Sequence, residues 1–358
     1  MGTGPGTVLR VTAGAPVFGG YALARVPEIG VLFVRGALPG EEVRVRLGER
    51  KRDYAFAEAV EILVPSPHRV DPPCEVYGEC GGCQLQHAAY PCQLEMKREI
   101  LREAFRRIAG MRVDPSVAPP GEPFAYRYRG QFKTDGGAIG FYAERSRRLV
   151  PVSRCPLMID AINAALPALR NPGGIAPAGE IHLASDGIRV VAWLPGVRYN
   201  PAVVDRAGDG LRGILFDDRA WGEGTVTLPL DGLAYAVSPR SFFQANWRMN
   251  RALVGRLASF LGNAGGGRVL DLYAGAGNFA LPLALRCGEV VAVEGEPRAF
   301  DDLLGNVRGN GLRNVRAVKA RVESYRPDRP FHAVVLDPPR AGLSRKALSL
   351  LRGIAAGT

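Results

Sequence analysis

The sequence predicts an α/β protein of three domains, and three observations lead to that prediction. Short strand-like runs broken by Gly and Pro fill residues 1–64, cysteines gather in residues 65–240, and apolar strands alternate with helical patterns over residues 241–358. The first pattern predicts a five-stranded, OB-like β-barrel, and the second predicts a central α+β domain with a metal or cluster site. The third predicts a Rossmann-like, doubly wound parallel sheet.

Composition and charge narrow the class of protein. The chain has 358 residues, of which 47% are hydrophobic and 23% charged, as in ordinary globular proteins. Lys and Arg outnumber Asp and Glu by 46 to 35, and the net charge of +11 favours a polyanionic partner. No uncharged apolar run reaches membrane-spanning length, and the start lacks a signal-peptide core. We therefore expect a cytoplasmic, monomeric protein without a membrane partner.

The N-terminal domain, residues 1–64, is expected to bind nucleic acid. Its strand-like runs are TVLRV, GYALARV, VLFVRGAL, EVRVRL and YAFAEAVEIL. Arg44, Arg46 and Lys51 gather around one predicted turn, where we expect them to contact phosphates. Acidic residues nearly balance the basic ones in this domain, so a solvated charged surface is the alternative interpretation.

Three cysteines stand close together near the start of the central domain, residues 65–240. Cys74, Cys80 and Cys83 enclose a Gly81-Gly82 turn that lets backbone amides face the sulfurs, and Cys155, in RCPL, is the natural fourth ligand. Four thiolates suit zinc or an iron–sulfur cluster equally, so the spacing leaves both open.

The stretch that follows is helical and then basic. A helix is predicted over residues 90–110, either within the central domain or packed on the C-terminal one. After it, Phe124–Arg129 alternates rings and guanidinium groups, which on a strand would place Arg127 and Arg129 on one face. We expect these two arginines and Lys133 to contact RNA phosphates; an amphipathic surface strand is the alternative.

The C-terminal domain, residues 241–358, begins its parallel sheet with Val269–Tyr273, which breaks into a glycine-rich turn. Gly275 and Gly277 let a ligand approach backbone amides, and Asn278 is expected to cap the following helix. Asp271 would repel a pyrophosphate but suits the ammonium and sulfonium of S-adenosylmethionine (SAM), which we favour over NAD.

Three further polar residues fall at predicted strand ends or beside them. Glu294 ends the next apolar run, EVVAVE, where a carboxylate can accept hydrogen bonds from ribose hydroxyls. Gln244, in SFFQAN, and Asp337, in LDPPR, are expected to line the same cleft. Amino-methyltransferases carry an aromatic residue at the position of Arg340, so this sequence favours a target atom other than an exocyclic amine.

The motifs occur in one order: CGGCQLQH at 80–87, RCP at 154–156, SFFQAN at 241–246, DLYAGAGNFALPLA at 271–284 and LDPPRAGL at 336–343. Together they resemble the RNA uracil-5 methyltransferases, over nearly the whole chain. The resemblance implies an N-terminal TRAM barrel and a [4Fe–4S] cluster on Cys74, Cys80, Cys83 and Cys155. It also implies SAM contacts from Gln244, Tyr273, Asn278 or the adjacent glycines, Glu294 and Asp337. Cluster-bearing members resemble the 23S ribosomal RNA enzymes, so structured ribosomal RNA is the expected partner.

The resemblance also implies a mechanism, and here the sequence departs from the family. A cysteine thiolate adds to uracil C6, which makes C5 nucleophilic toward the sulfonium methyl, and a carboxylate base then removes the C5 proton. Both residues are expected beyond Thr358, and Cys287, at the far end of its helix, is no substitute. We therefore expect a C-terminally truncated, inactive copy. Arg321 departs as well, because a polar or acidic residue is expected beside the adenine.

Three alternatives remain open at this stage. They are a transfer RNA substrate, a non-catalytic RNA-binding module, and a zinc-stabilised amino-methyltransferase that uses DPPR.

Overall fold

A computed structural model describes residues 4–117, 121–170, 179–207, 210–262 and 266–355. Thr358, where the sequence ends, lies outside these ranges. The chain forms two compact units, the first comprising Met1–Pro123 with Phe141–Val152 and the second Phe124–Gly140 with Ser153–Thr358. Within the described ranges, no helix has the length and apolar character needed to cross a bilayer.

The first unit opens with a six-stranded sheet. Its strands are β1 Val8–Thr12, β2 Pro16–Val17, β3 Tyr21–Val26, β4 Gly30–Arg35, β5 Glu42–Arg50 and β6 Tyr54–Val64, in the order β1-β5-β6-β4-β3-β2. Strands lie at all five predicted runs, and the two-residue β2 is additional. Neighbours are antiparallel except β4 and β6. Small and branched apolar side chains on alternate positions, such as Ala22, Leu32 and Val45, form its core.

A buried carboxylate ties the segment after β6 to this sheet. Glu41 has no solvent-exposed surface and accepts hydrogen bonds from the backbone N–H groups of Leu38 and Ser66 at 2.8 and 3.0 Å. Arg69 pairs with both carboxylate oxygens of Glu41, at 2.6 and 2.7 Å. Because a buried charge needs such partners, this ion pair holds the proline-containing linker in place.

The predicted helix after the linker is present. α1 spans Tyr90–Ala104 and continues as a five-residue π-helix, Phe105–Ala109, that ends at a left-handed Gly110. Among the described residues of α1, the buried side chain is that of Met96. The chain then enters the second unit.

The second unit contains the remaining strands of the central region and two helices. The strands are β7 Arg129–Asp135, β8 Ala138–Tyr142, β10 Gly179–Ser185, β11 Val190–Trp193, β12 Gly213–Leu215 and β13 Ala220–Gly222, and the helices are α2 Asp160–Leu169 and α3 Pro201–Ala207. The first unit includes Phe141–Val152, so the last two residues of β8 and all of β9, Leu149–Pro151, belong to it. The strand order is β13-β12-β11-β10-β7-β8. Phe132, Ile162 and Ile181 are fully buried between this sheet and its helices.

The prediction of a strand over Phe124–Arg129 is wrong for its first five residues. Ala125 has a left-handed φ of 48°, and β7 begins only at Arg129. Arg127 instead makes single β-bridges to Asn246 and Met158. Period-two alternation of rings and arginines therefore does not place these side chains on two faces.

The C-terminal part of the second unit is a parallel sheet flanked by helices. After the hairpin β14 Val226–Leu230 and β15 Leu233–Val237, the elements are α4 Trp247–Leu261, β16 Arg268–Leu272, α5 Ala280–Ala284, β17 Glu289–Glu294, α6 Pro297–Gly309, β18 Val315–Lys319, a 3₁₀ turn Val322–Ser324, β19 Ala333–Leu336 and α7 Arg345–Ala355. The strand order is β18-β17-β16-β19, all parallel. Alternate residues of β16 face opposite cores: Val269 packs with α4, α5 and α6, and Leu270 with α7. This sheet carries the predicted site.

Candidate active site

Three carboxylates converge at the C-terminal ends of adjacent parallel strands. Asp271 lies in β16, beside Ala292 of β17 and Val335 of β19. Glu294 and Asp337 follow those two partners by two residues each, so both lie just beyond Asp271 along the sheet. Strand C-termini are where open parallel sheets bind ligands, and the sequence placed all three residues there.

Asp271 is enclosed by protein rather than exposed in a cleft. It shares the face of β16 with Val269, toward the core that contains Tyr235, and it has no exposed surface. Burial, together with the smaller effect of the negative charges of Asp337 and Glu294, raises the pKa of Asp271 to about 8. The backbone N–H of Ala280 offsets only part of this effect, and neither carboxylate oxygen makes a full hydrogen bond to a described residue.

The two glycines of the turn, Gly275 and Gly277, are needed for different reasons. A Cβ on Gly277, whose φ is 96°, would lie 2.1 Å from Cδ1 of Leu281, so this glycine is needed for packing. A Cβ on Gly275 would meet no atom within 4 Å, so this glycine leaves open space beside the backbone. The N–H of Gly275 donates to Oε2 of Glu294 at 2.8 Å, which joins the turn to β17. Tyr273 precedes the turn with φ of 62°, a strained conformation that the sequence did not reveal.

Two asparagines that sequence reasoning missed hold the turn in place. Asn250 of α4 exchanges two side-chain hydrogen bonds with Asn278, at 2.6 and 3.0 Å. Asn306 of α6 is buried; its Nδ2 donates to the Ala276 carbonyl at 3.0 Å and its Oδ1 accepts from the Ala236 N–H at 2.8 Å. An amide on an otherwise apolar helix face is the sequence signal for such a role.

The prediction that Asn278 caps the helix is wrong. α5 begins at Ala280, after Phe279 as its N-cap residue, and no side chain caps it. The Asn278 amide is engaged by Asn250 instead. Pairing with a neighbouring helix outweighs local capping here.

Gln244 and Asp337, the remaining residues that are predicted to contact the cofactor, are hydrogen-bonded to each other at the rim of the site. Nε2 of Gln244 donates to Oδ2 of Asp337 at 3.0 Å, in an exposed position. Phe242 and Phe243 precede Gln244 in the chain, and the guanidinium of Arg129, the first residue of β7, lies 5.1 and 5.4 Å from their ring centres. Burial, with the charge of Arg127 nearby, lowers the pKa of Arg129 to about 10. Arg129 is thus a partly buried cation stacked on rings.

Several of the basic side chains that are predicted to contact RNA have acidic partners. Arg44 pairs with Glu61 at 2.7 Å, Lys51 with Glu49 at 2.6 Å, and Lys133 forms an ion pair with Glu180. Arg46 is exposed on β5. Neighbouring carboxylates therefore neutralise part of the positive charge that the sequence suggested for phosphate binding.

The three clustered cysteines of the first unit share one turn. The Gly82 N–H donates to the Cys80 sulfur at 3.4 Å, and burial, followed by the charge of Cys74, raises the pKa of the Cys80 thiol. In the second unit, Asn163 fixes the Cys155 backbone with hydrogen bonds of 2.9 and 3.1 Å. Over the described ranges, no group of three or more Cys, His, Asp or Glu side chains is assembled as a metal site.

Comparison with known proteins places these features in a family. A family model of the TRAM domain matches residues 3–60, and one of the TRM5/TYW2 methyltransferase domain matches residues 241–352. The 23S rRNA (uracil(1939)-C(5))-methyltransferase RlmD of Alkalilimnicola ehrlichii is 34% identical over 343 residues, which cover 87% of this chain and 77% of that protein. The chain belongs to the RNA uracil-C5 methyltransferase family. An uncharacterized RNA methyltransferase of Gloeobacter violaceus is 32% identical over 97% of this chain and 85% of its own length.

A solved structure has the same fold as this family member. The tRNA (uracil-54, C5)-methyltransferase of Pyrococcus abyssi, in complex with S-adenosyl-L-homocysteine, superposes with a TM-score of 0.76 and 24% identity, over 97% of this chain and 88% of that one. The predicted family, the N-terminal TRAM domain and the C-terminal methyltransferase fold are thereby confirmed.

Proposed function

We propose that this chain is a SAM-dependent uracil-C5 methyltransferase of structured RNA, with 23S ribosomal RNA as its substrate. The observation that carries the proposal is the convergence of Asp271, Glu294 and Asp337 around an open glycine turn in a member of this family. Carboxylates at strand ends favour a cationic methyl donor over an anionic dinucleotide.

The residues at the strand ends fit SAM. Glu294 lies at the end of β17, where a carboxylate suits ribose hydroxyls, and the space beside Gly275 admits a ligand against the backbone. Gln244 and Asp337 form a hydrogen bond with each other at the rim, and we propose that Tyr273 and Asn278 of the turn also contact SAM. When bound, SAM supplies an electrophilic methyl group on a sulfonium. The nearby carboxylates contribute the negative field that favours this cation.

For the RNA, we propose contacts from Arg44, Arg46 and Lys51 in the TRAM domain and from Arg127, Arg129 and Lys133 in the second unit. The net charge of +11 supports a polyanionic partner. None of the six cysteines, all of which lie in the described ranges, follows a strand of the parallel sheet at its C-terminal end, and Cys287 is buried before β17. The roles that we propose for the residues named above are therefore binding and orientation of the substrates.

The relatives' names distinguish two substrates. Proteins at 34% identity are named for uracil in 23S rRNA, whereas the protein of similar fold from P. abyssi is named for transfer RNA. We expect the chain to bind a 23S rRNA fragment more tightly than unmodified tRNA at equal salt, and SAM to raise its melting temperature. Equal affinity for both RNAs would contradict the assignment of ribosomal RNA as the substrate. An unchanged melting temperature in the presence of SAM would contradict SAM as the methyl donor.

Product identity tests the chemistry. The chain alone, and a chimera extended by the C-terminal segment of the A. ehrlichii relative, are incubated with SAM labelled in its methyl group and with 23S rRNA. Labelled 5-methyluridine in the digested RNA is the expected product of the chimera. Label on an exocyclic amine would contradict the C5 assignment and favour the amino-methyltransferase alternative.

We also propose that Cys74, Cys80, Cys83 and Cys155 hold a [4Fe–4S] cluster. The Gly82 N–H that donates to the Cys80 sulfur supports the proposal, because backbone donors stabilise cluster thiolates. Anaerobically purified protein should contain iron and acid-labile sulfide, and Cys80→Ser should lose both, whereas Cys92→Ser should not. Zinc without iron or sulfide would contradict the cluster.

A further inference from the structure

Four aromatic side chains lie side by side on the N-terminal sheet, and we call them the aromatic face: Tyr21, Phe33, Tyr54 and Phe56. They come from β3, β4 and β6, and Phe33 stands directly opposite Phe56 in the parallel β4–β6 register. The ring centre of Phe33 is 5.4 Å from that of Phe56 and 5.7 Å from that of Tyr54. These distances are those of rings in direct contact.

The aromatic face is on the outside of the sheet. The residues between the rings, including Ala22, Leu32 and Ala55, form the buried core, so the rings point the other way. Tyr54 is 36% exposed, and the other rings are partly exposed. A contiguous group of partly exposed rings on the outside of a sheet is the kind of apolar patch that marks binding surfaces.

An arginine covers part of this face. The Arg145 guanidinium lies 4.1 Å above the Phe56 ring centre and 5.8 Å from that of Tyr21, and its side chain is 54% exposed. Its φ of 53° is unusual for a residue with a Cβ, which suggests that function maintains the conformation. The adjacent Glu144 accepts a hydrogen bond from Tyr21 at 2.9 Å and pairs with Arg35 at 2.8 Å, so it anchors the loop to the sheet.

A shallow depression adjoins the arginine. It is open to solvent and has a volume of about 640 Å³, and its lining includes Tyr142, Glu144, Arg145 and Arg147. Exposed rings beside arginines offer flat surfaces for stacking together with positive charge for phosphates. That combination matches single-stranded nucleic acid better than an apolar protein segment, which needs no cations.

We infer that the aromatic face and Arg145 form a stacking site for an unpaired nucleobase of the RNA substrate. This inference rests on the proposed function and extends it, because it states that the TRAM domain holds RNA through exposed bases and not through phosphates alone. A duplex cannot use the site, since its base faces are already stacked.

The test compares three fluorescent RNA probes on the full chain: an oligoadenylate of about twelve nucleotides, an abasic chain of equal length, and a duplex. The wild-type chain should bind the oligoadenylate about tenfold more tightly than the abasic chain. Tyr54→Ala should weaken oligoadenylate binding about five- to tenfold without changing its salt dependence, because stacking releases no counterions. Binding of the abasic chain should stay as in the wild type, and Tyr54→Phe should retain most of the affinity.

Val60→Ala is the matched control, because Val60 is on the same strand and 41% exposed. It should bind all three probes as the wild type does, and both alanine variants should keep the wild-type SAM-induced melting shift. If Tyr54→Ala binds oligoadenylate like Val60→Ala, or if the duplex binds as tightly as oligoadenylate, the stacking site is refuted while the proposed function stands. If the wild type binds no RNA, including a 23S rRNA fragment, the proposed function fails as well.

Discussion

Replacing Asn306 by alanine should loosen the glycine turn of the proposed SAM site. The substitution removes the hydrogen bonds to the Ala276 carbonyl and the Ala236 N–H, at 3.0 and 2.8 Å. Because Asn306 is buried, water cannot readily replace its amide. Each of the two groups left without a partner costs about 1–3 kcal/mol, so the free energy of unfolding should fall by about 2–6 kcal/mol. Affinity for SAM, measured by calorimetry well below the unfolding temperature, should fall about tenfold because the turn is no longer held.

The C-cap residue of the same helix, Asn310, supplies a matched control. Asn310 makes the equivalent pair of hydrogen bonds to the Ala234 backbone, at 2.9 and 2.7 Å, but in an exposed position and away from the turn. Asn310→Ala should cost about 1 kcal/mol or less, since water replaces the lost partners, and should leave SAM affinity unchanged. Equal losses of stability, or unchanged SAM binding in Asn306→Ala, would refute the assigned role of Asn306.

Two further predictions concern buried charges. Arg69→Leu should lower the free energy of unfolding by about 3–5 kcal/mol in urea titrations, because it leaves the Glu41 carboxylate buried without its cation. Although burial alone would raise the pKa of Glu41, hydrogen bonds from Arg69 and the backbone hold it below its usual range. Glu41 therefore stabilises the fold above the pKa of this residue in the unfolded chain, about 4.3, and the stabilisation is lost as pH falls below that value. A free energy of unfolding that does not decrease in this acidic range would contradict the prediction. Asp271, with a pKa of about 8, should release a proton when a cation binds, so SAM affinity should rise up to tenfold per pH unit until about pH 8. Asp271→Asn should reduce that pH dependence in calorimetry; an unchanged slope would show that Asp271 does not titrate on binding.

Much of the architecture follows from local patterns. The N-terminal strands, the helix from Tyr90 and the alternation of strands and helices after Arg268 were all predicted, because hydrophobic period and glycine placement act over a few residues. The acidic residues could be placed at strand ends for the same reason, since parallel strands present their C-termini at one edge of the sheet. The motif order also predicted the family.

Local patterns failed where a distant partner decides the conformation. Phe124–Tyr128 reads as an alternating strand, but Arg127 forms bridges to Met158 and Asn246 and Ala125 turns left-handed. Asn278 reads as a helix cap, but its amide is taken by Asn250. The number of basic residues in the sequence likewise overestimated the positive charge available at the surface, because Lys133 forms an ion pair with Glu180, 47 residues along the chain.

The sequence by itself determined that a TRAM domain precedes a methyltransferase fold, which strand ends carry carboxylates, and the membership of the RNA uracil-C5 methyltransferase family. Only the tertiary structure decided that Asp271 is enclosed, that Asn306 holds the turn and that rings from β3, β4 and β6 share one outer face. The physical reason is that burial, paired amides and cross-strand ring contacts depend on register and packing between segments far apart in the chain, which periodicity within a segment does not encode.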